Sequence, residues 1–302
     1  MTAAILDGLN PAQTEAVHHC DGPVLILAGA GTGKTRTITR RVAHLVSHQA
    51  VPPGRILAIT FTNKAAREMR NRIAEWVPDT GLWVGTFHAT CARMLRMNAE
   101  VVGRTRNFSI MDVDDRRKLL RTLIKDAGWD PLVYKPRKME QYISNWKQKS
   151  MGPSHAGEEA SLFGLEEERA ALIYAKYEEA LARQDGLDFD DLLLKGLELV
   201  EKDAAGERRW ADRFEHILVD EYQDTNELQY RFVKTLAKAY GNLAVCGDPD
   251  QSIYRWRGAD IGNILRFEED FPGTRLIRLE QNYRSVGNVL KAAQHVIKNN
   301  RS

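Results

Sequence analysis

Cysteine is scarce and scattered: the 302 residues carry three, at Cys20, Cys91 and Cys246. An odd number without paired spacing excludes a disulfide framework and a zinc site, and fits a reducing compartment. No uninterrupted apolar run reaches membrane-spanning length, and the opening MTAAILDGLN lacks a basic start followed by a long apolar stretch. Neither signal peptide nor anchor is therefore expected. Excess charge is missing too. With 43 Lys and Arg against 41 Asp and Glu the formal net charge is +2, so any affinity for nucleic acid has to come from local clusters. Hydrophobic residues, by contrast, make up 43% of the chain, enough to build the core of one large or two ordinary domains.

The stretch around which the rest can be placed is Val24 to Thr35, VLILAGAGTGKT. Val24, Leu25, Ile26 and Leu27 suit a strand buried on both faces, and Gly29, Gly31 and Gly33 permit backbone angles and a close approach to phosphate that side chains would block. A helix starting near Lys34 turns its positive end to the same point, so Gly29, Ala30, Gly31, Thr32, Gly33, Lys34, Thr35 and Arg36 form a candidate nucleotide cradle. In such a loop the lysine reaches the β and γ phosphates of ATP and the hydroxyl of Thr35 holds Mg²⁺. The strict pattern has glycine where this chain has Ala28.

Upstream, Asn10, Pro11 and Gln13 read as a capped helix start, although a glutamine at this place can also present its amide to an adenine edge. Downstream, strand and helix alternate three times: Ile56 to Phe61 precedes a helix with Asn63 as its cap, and Leu82 to Gly85 precedes a helix through Met97. This is the pattern of a parallel sheet covered on both sides. Alternation stops from about Arg104 to Gly186, where helices are expected over 112–127, 136–149 and 165–184, with SMGPSHAG at 150–157 as a flexible connection. The first half of this insertion is basic, with Trp129, Tyr134, Tyr142 and Trp146 interleaved. Either a solvated face over an aromatic core or a phosphate-tracking surface fits. Alternation then resumes, with strands at 216–219, 243–246 and 276–279.

Ligands of open α/β sheets gather at the carboxyl ends of the strands, which puts Phe61, Asn63, Phe87 and His88 on the edge of the cradle. Taken singly, Phe61 and Phe87 read as core, and His88 as a capping or surface residue. Asp220 and Glu221 follow an apolar strand, as a Mg²⁺-binding carboxylate and a base for the attacking water would. Gln251 ends the next strand within reach of a γ phosphate, and Tyr254, Arg255, Trp256 and Arg257 set aromatics beside guanidinium groups, a platform for stacked bases. Phe189, amid three carboxylates, reads either as a hydrophobic staple or as an aromatic platform.

The motifs LNPAQ, AGAGTGKT, ITFTNKAAREM, VGTFHA, LDFDDLL, VDEYQD, VCGDPDQSIYRWRGA and LEQNYRS, in this order over nearly the whole chain, resemble the UvrD, PcrA and Rep type of superfamily 1 helicases. The resemblance implies an α/β fold: a RecA-like P-loop domain with a parallel sheet, interrupted by an all-helical subdomain. Expected boundaries are 1–103 and 187–279 for the motor domain, 104–186 for the insertion and 280–302 for the start of a truncated second motor domain. It further implies that Gln13 reads adenine, Tyr283 stacks on it and Arg284 supplies transition-state charge, beside Lys34, Thr35, Asp220, Glu221 and Gln251. Phe61, Asn63, His88, Phe189, Tyr254, Trp256 and Arg257 would track single-stranded DNA, while Phe87 stays in the core. The implied activity is ATP-driven 3′-to-5′ translocation and unwinding, in DNA repair or replication. The implied partners are single-stranded DNA, single-strand/duplex junctions and repair or replication proteins. The setting it implies is the bacterial cytoplasm, associated with the nucleoid, with no membrane. Competing readings are a nucleotide- and DNA-binding module without turnover, a helicase–nuclease subunit and a nucleotide kinase; stacking platforms alone do not separate RNA from DNA.

Overall fold

A computed structural model describes residues 2–78, 81–204 and 210–298, without the side chains of residues 2, 3, 203, 204 and 257. The chain divides into two compact units, one formed by 1–90 with 203–302 and the other by 91–202.

In the first unit, short apolar runs make a six-stranded sheet in the order Trp83–Thr86, Ile56–Thr60, His216–Val219, Leu243–Gly247, Val24–Ala28, Arg275–Leu279. The strands are β1 (Val24–Ala28), β2 (Ile56–Thr60), β3 (Trp83–Thr86), β6 (His216–Val219), β7 (Leu243–Gly247) and β8 (Arg275–Leu279). All neighbours pair in parallel. VLILA, ILAIT and LAVCG carry no alternating polar face, because helices cover both sides of such a sheet. Ile26, Ala58, Leu218 and Cys246 join Ile38, Val42 and Met69 of the covering helices in one core. Pairing of Leu27 with Gly247, Ala28 with Leu279 and Val219 with Val245 brings the strand ends out at one edge. This is the RecA-like arrangement expected from the motifs, with helix Lys34–Ser47 leaving directly from the Gly-rich turn.

The second unit is helical apart from β4 (Ser109–Ile110) and β5 (Gly186–Leu187), two short parallel strands that join the ends of the helical stretch. Helices Val113–Asp126, Pro136–Gln148, Pro153–Ala160 and Leu165–Arg183 enclose Leu120, Ile124, Met139, Ile143, Ile173 and Tyr177. The segment expected to be a flexible connection is thus in part a helix. Pro153 starts it, where a missing N–H costs nothing, and Ala156 and Ala160 are buried against the core. The interleaved aromatics are core material: Trp146 stacks between Tyr142 and Tyr174, and Trp129 and Tyr134 pack against the cluster. This unit is wider than the insertion expected over 104–186. A Cβ on Gly196 would lie 2.6 Å from Cys91 Sγ, so helix Phe189–Ala204 packs closely on the later part of helix Phe87–Met97.

Lys147 is fully buried among carboxylates, 2.7 Å from Asp191 Oδ1, 3.0 Å from Asp188 Oδ2 and 2.7 Å from Glu178 Oε1. Arg116 adds contacts to Asp188 and Asp190, and Tyr177 donates to Asp188 at 2.9 Å. Burial pushes the Asp188 carboxyl up, but Lys147 and Arg116 outweigh it and hold it below its usual range. Among the described residues no helix is long and apolar enough to cross a membrane.

Candidate nucleotide and nucleic-acid site

Gly33 closes the Gly-rich turn at φ 89°, in the left-handed region, and a Cβ there would meet Gln13 Nε2 at 2.6 Å. Only glycine fits that conformation and that approach. Thr32 Oγ1 donates to Gly29 O at 2.8 Å, which tightens the turn ahead of the free N–H groups of helix Lys34–Ser47. The result is an anion cradle at a helix N-terminus.

Lys34 Nζ lies 2.9 Å from Glu221 Oε2. Burial alone would lower the lysine pKa, but Glu221 beside it raises it, so the ammonium is kept. Glu221 has φ 53°, a left-handed conformation that costs a residue with a Cβ about 1–2 kcal/mol. Asp220 Oδ1 accepts from Glu221 N at 3.0 Å, and Asp224 N donates to Glu221 O at 3.0 Å. Asp220 is 6% exposed, and its pKa is pushed up to about 6, first by burial and then by the Glu221 charge. The same two causes push Asp224 to about 6.

Two neighbouring carboxylates with one ammonium leave room for a further cation. Among the described residues no three His, Cys, Asp or Glu side chains converge to cage a metal. That donor set suits Mg²⁺, which keeps water and phosphate oxygens and takes few protein ligands. Asp220, bonded to the Glu221 N–H beside the Lys34–Glu221 pair, is a carboxylate of that kind.

A cavity of about 590 Å³ runs along the cradle. Of the expected nucleotide-site residues, Gly29, Ala30, Thr32, Gln251 and Arg284 line it, whereas Lys34, Thr35, Asp220 and Glu221 do not. Gln251 Nε2 donates to Asp248 Oδ2. Asn282 Nδ2 donates to Ala30 O, and Tyr283 N donates to Gly31 O at 2.8 Å. These bonds bring Arg284 over Gly31, whose added Cβ would lie 2.6 Å from Arg284 Cβ.

Gln13 fulfils the capping expectation. Its N–H donates to Asn10 Oδ1 at 2.8 Å, its Oε1 accepts from Asn10 N at 3.1 Å, and its Nε2 donates to Thr32 O at 2.9 Å. Tyr283 is 55% exposed, with its hydroxyl accepting from Asn10 Nδ2 at 2.9 Å, so the two residues expected at an adenine meet through Asn10. The Arg36 guanidinium is held elsewhere, its Nη2 donating to Asp7 O at 3.2 Å, while its backbone lies in the first turn of helix Lys34–Ser47.

On the same sheet edge, the half-buried Phe61 stacks on Tyr254 with ring centroids 5.0 Å apart, and Tyr254 lies 6.4 Å from Trp256. Trp256 is 73% exposed. Asn63 is exposed at the start of helix Asn63–Ala74, but the cap is Thr62, whose Oγ1 accepts from Ala65 N at 3.1 Å. The N-cap needs extended backbone, and Thr62 has it while Asn63 is already helical. His88 is half-buried in the first turn of helix Phe87–Met97. Phe87 is core, 2% exposed and 6.5 Å from the Phe232 ring. Phe189 belongs to the second unit, where it begins helix Phe189–Ala204 and is 45% exposed. The Arg257 side chain lies outside the described residues.

Sequence reasoning missed Gln223, whose amide joins Glu221 to the end of β7. The glycine that ends β7, at 247, was the available signal, since it marks a close approach. Lys147 was read only as part of a basic stretch.

The sequence model of the UvrD/REP helicase N-terminal domain matches residues 9–272. ATP-dependent DNA helicase PcrA of Staphylococcus aureus (strain COL) is 46% identical over 299 residues, covering 98% of this chain and 41% of the relative. PcrA of Bacillus subtilis (strain 168) is also 46% identical over 299 residues, covering 98% of this chain and 40% of the relative. The chain thus spans about two fifths of the length of these relatives. With the cradle, the carboxylate pair and the strand-end aromatics in one sheet, the match assigns the chain: it belongs to the UvrD/Rep helicase family.

Proposed function

We propose that this chain is the N-terminal motor part of an ATP-dependent DNA helicase that couples hydrolysis to 3′-to-5′ movement on single-stranded DNA, in repair or replication. The observation that carries the reading is the 2.9 Å contact between Lys34 and Glu221, which ties a phosphate cradle to a water-activating carboxylate. The cradle N–H groups and Lys34 bind the phosphates, and Gln13 and Tyr283 hold the adenine. Thr35 and Asp220 would hold Mg²⁺, which would supply positive charge beside the phosphates. Glu221 orients the attacking water and takes its proton, Gln251 reports the γ phosphate, and Arg284 faces the charge that develops. Residues from about Glu280 onward open a second motor domain, supported by the relatives' greater length. The bacterial origin of those relatives supports a cytoplasmic, nucleoid-associated setting.

Single-stranded DNA lies on Phe61, Tyr254 and Trp256, with Asn63 and His88 along the track. Ring stacking contributes ~1–3 kcal/mol per base, so Phe61→Ala and Trp256→Ala each weaken oligo-dT binding by roughly 5- to 150-fold. Fluorescence anisotropy measures this, and unchanged affinity in both variants would remove the aromatic track.

A further inference from the structure

We propose that Gln223 is the positioning residue for Glu221, and that its amide couples the aim of that carboxylate to the segment carrying Gln251 and the stacking aromatics. The inference rests on the reading of Glu221 as the water-activating group.

Glu221 Oε2 receives two donors, Lys34 Nζ and Gln223 Nε2, each at 2.9 Å. A lysine that turns to a polyphosphate leaves Glu221 Oε2 to the Gln223 amide. The amide cannot drift. Gln223 is 1% exposed, and its Oε1 accepts from Asp248 N at 3.0 Å. Its orientation is fixed by chemistry: a backbone N–H has to face the oxygen and a carboxylate has to face the NH₂ group. It also lies hard against β7, where a Cβ on Gly247 would come within 2.6 Å of Gln223 Oε1 and 2.8 Å of Ile264 Cδ1.

The same residue holds the next segment a second time, since Ser252 Oγ donates to Gln223 O at 3.3 Å. Gln251 lies between these two attachments and is joined to the first of them, Asp248, by its own hydrogen bond. Two residues past Ser252, Tyr254 stacks on Phe61. A shift of this segment under a nucleotide or a stacked base therefore moves the amide, and the amide moves Glu221.

The test uses the full-length protein carrying this chain. Gln223→Met keeps the length of the side chain and removes its hydrogen bonds to Glu221, Asp248 and Asp224, the last a long one at 3.4 Å. Gln223→Glu keeps an acceptor for Asp248 and sets a carboxylate against Glu221. Misplacing a reacting group by about 1 Å can cost ~10²-fold, so both variants are expected to lose on the order of 10²-fold in kcat. The KM for ATP, the single-stranded DNA affinity and the unfolding midpoint stay near wild type, and the stimulation of kcat by DNA falls towards none. Either variant keeping its kcat overturns the proposal. So does a loss of ATP affinity, DNA affinity or folded state in step with kcat, because the amide would then hold the fold and not the carboxylate's aim. Glu221→Gln is measured alongside. If turnover survives that substitution, the reading of Glu221 itself fails; if Glu221→Gln is inactive while Gln223→Met is active, only the present inference fails.

Discussion

Lys34→Ala in the full-length protein lowers ATP turnover by about 10³-fold while single-stranded DNA binding stays near wild type. Removal of one preorganised donor from a charge-stabilising site costs ~10²–10³ in rate, and this donor carries a full charge. It is also the ammonium beside Glu221, 2.9 Å away, and it opposes the burial that pushes the Asp220 pKa up. Without it the two carboxylates share a buried strand end, and one of them is driven towards its protonated form. The residues proposed as metal ligand and as water-activating base are then both compromised. DNA binding survives because Phe61 and Tyr254 stack on each other at other strand ends, with no bond to Lys34 in that contact. Steady-state hydrolysis and anisotropy measured on the same preparation check both halves. Near-normal turnover would refute the assignment of the cradle, and a parallel loss of DNA binding would show that the substitution had damaged the fold.

The second large effect is on stability. Lys147→Ala destabilises the chain by about 3–5 kcal/mol, the cost of leaving buried charge without its partner. Asp188, Asp191 and Glu178 all lie within 3.0 Å of Lys147 Nζ, and the lysine is fully buried. Arg116 remains, but it reaches Asp188 and Asp190 and not Asp191. The sign of the pH dependence follows. In the wild type Asp188 is held below its usual range, which contributes stability above that range and loses it as pH falls through the folded value. Removing Lys147 raises the folded values of Asp188 and Asp191, so the folded variant holds protons that the unfolded chain releases as pH rises. The deficit is therefore largest near neutral pH and shrinks towards pH ~5. Urea unfolding at the two pH values measures it. A deficit that is small, or that grows on acidification, contradicts this account of the network.

Much of the first unit was legible because its signals are local. VLILA, ILAIT and HILV are apolar runs bounded by small or polar residues, and Asn10, Pro11 and Gln13 carry a capping box within four consecutive positions. The strand-end residues proposed for the site were found in the same way, since each lies within a few positions of the end of a strand. Long-range relations were not. Lys147 finds Asp188 and Asp191 41 and 44 residues away, and no period in the sequence marks that meeting. Gln223 reads as one letter of VDEYQD, and only the approach of β7 shows that its amide faces both Glu221 and Asp248. SMGPSHAG has the composition of a linker, yet the burial of Ala156 and Ala160 by a neighbouring helix overrides its weak propensity. The cap at Thr62 in place of Asn63 is a shift of one residue, within the usual uncertainty of a helix start.

The central claim is that this chain contributes one half of a split ATPase site driven by single-stranded DNA. Its most direct test is ATP hydrolysis by this chain, with and without single-stranded DNA, before and after the C-terminal remainder of the full-length protein is supplied. The account predicts slow turnover by the chain alone and a rise of ~10³–10⁵ when the second half and DNA are both present, the range that a missing transition-state arginine accounts for. If the isolated chain hydrolyses ATP as fast as the completed protein, the site is self-contained and the split-site account is wrong.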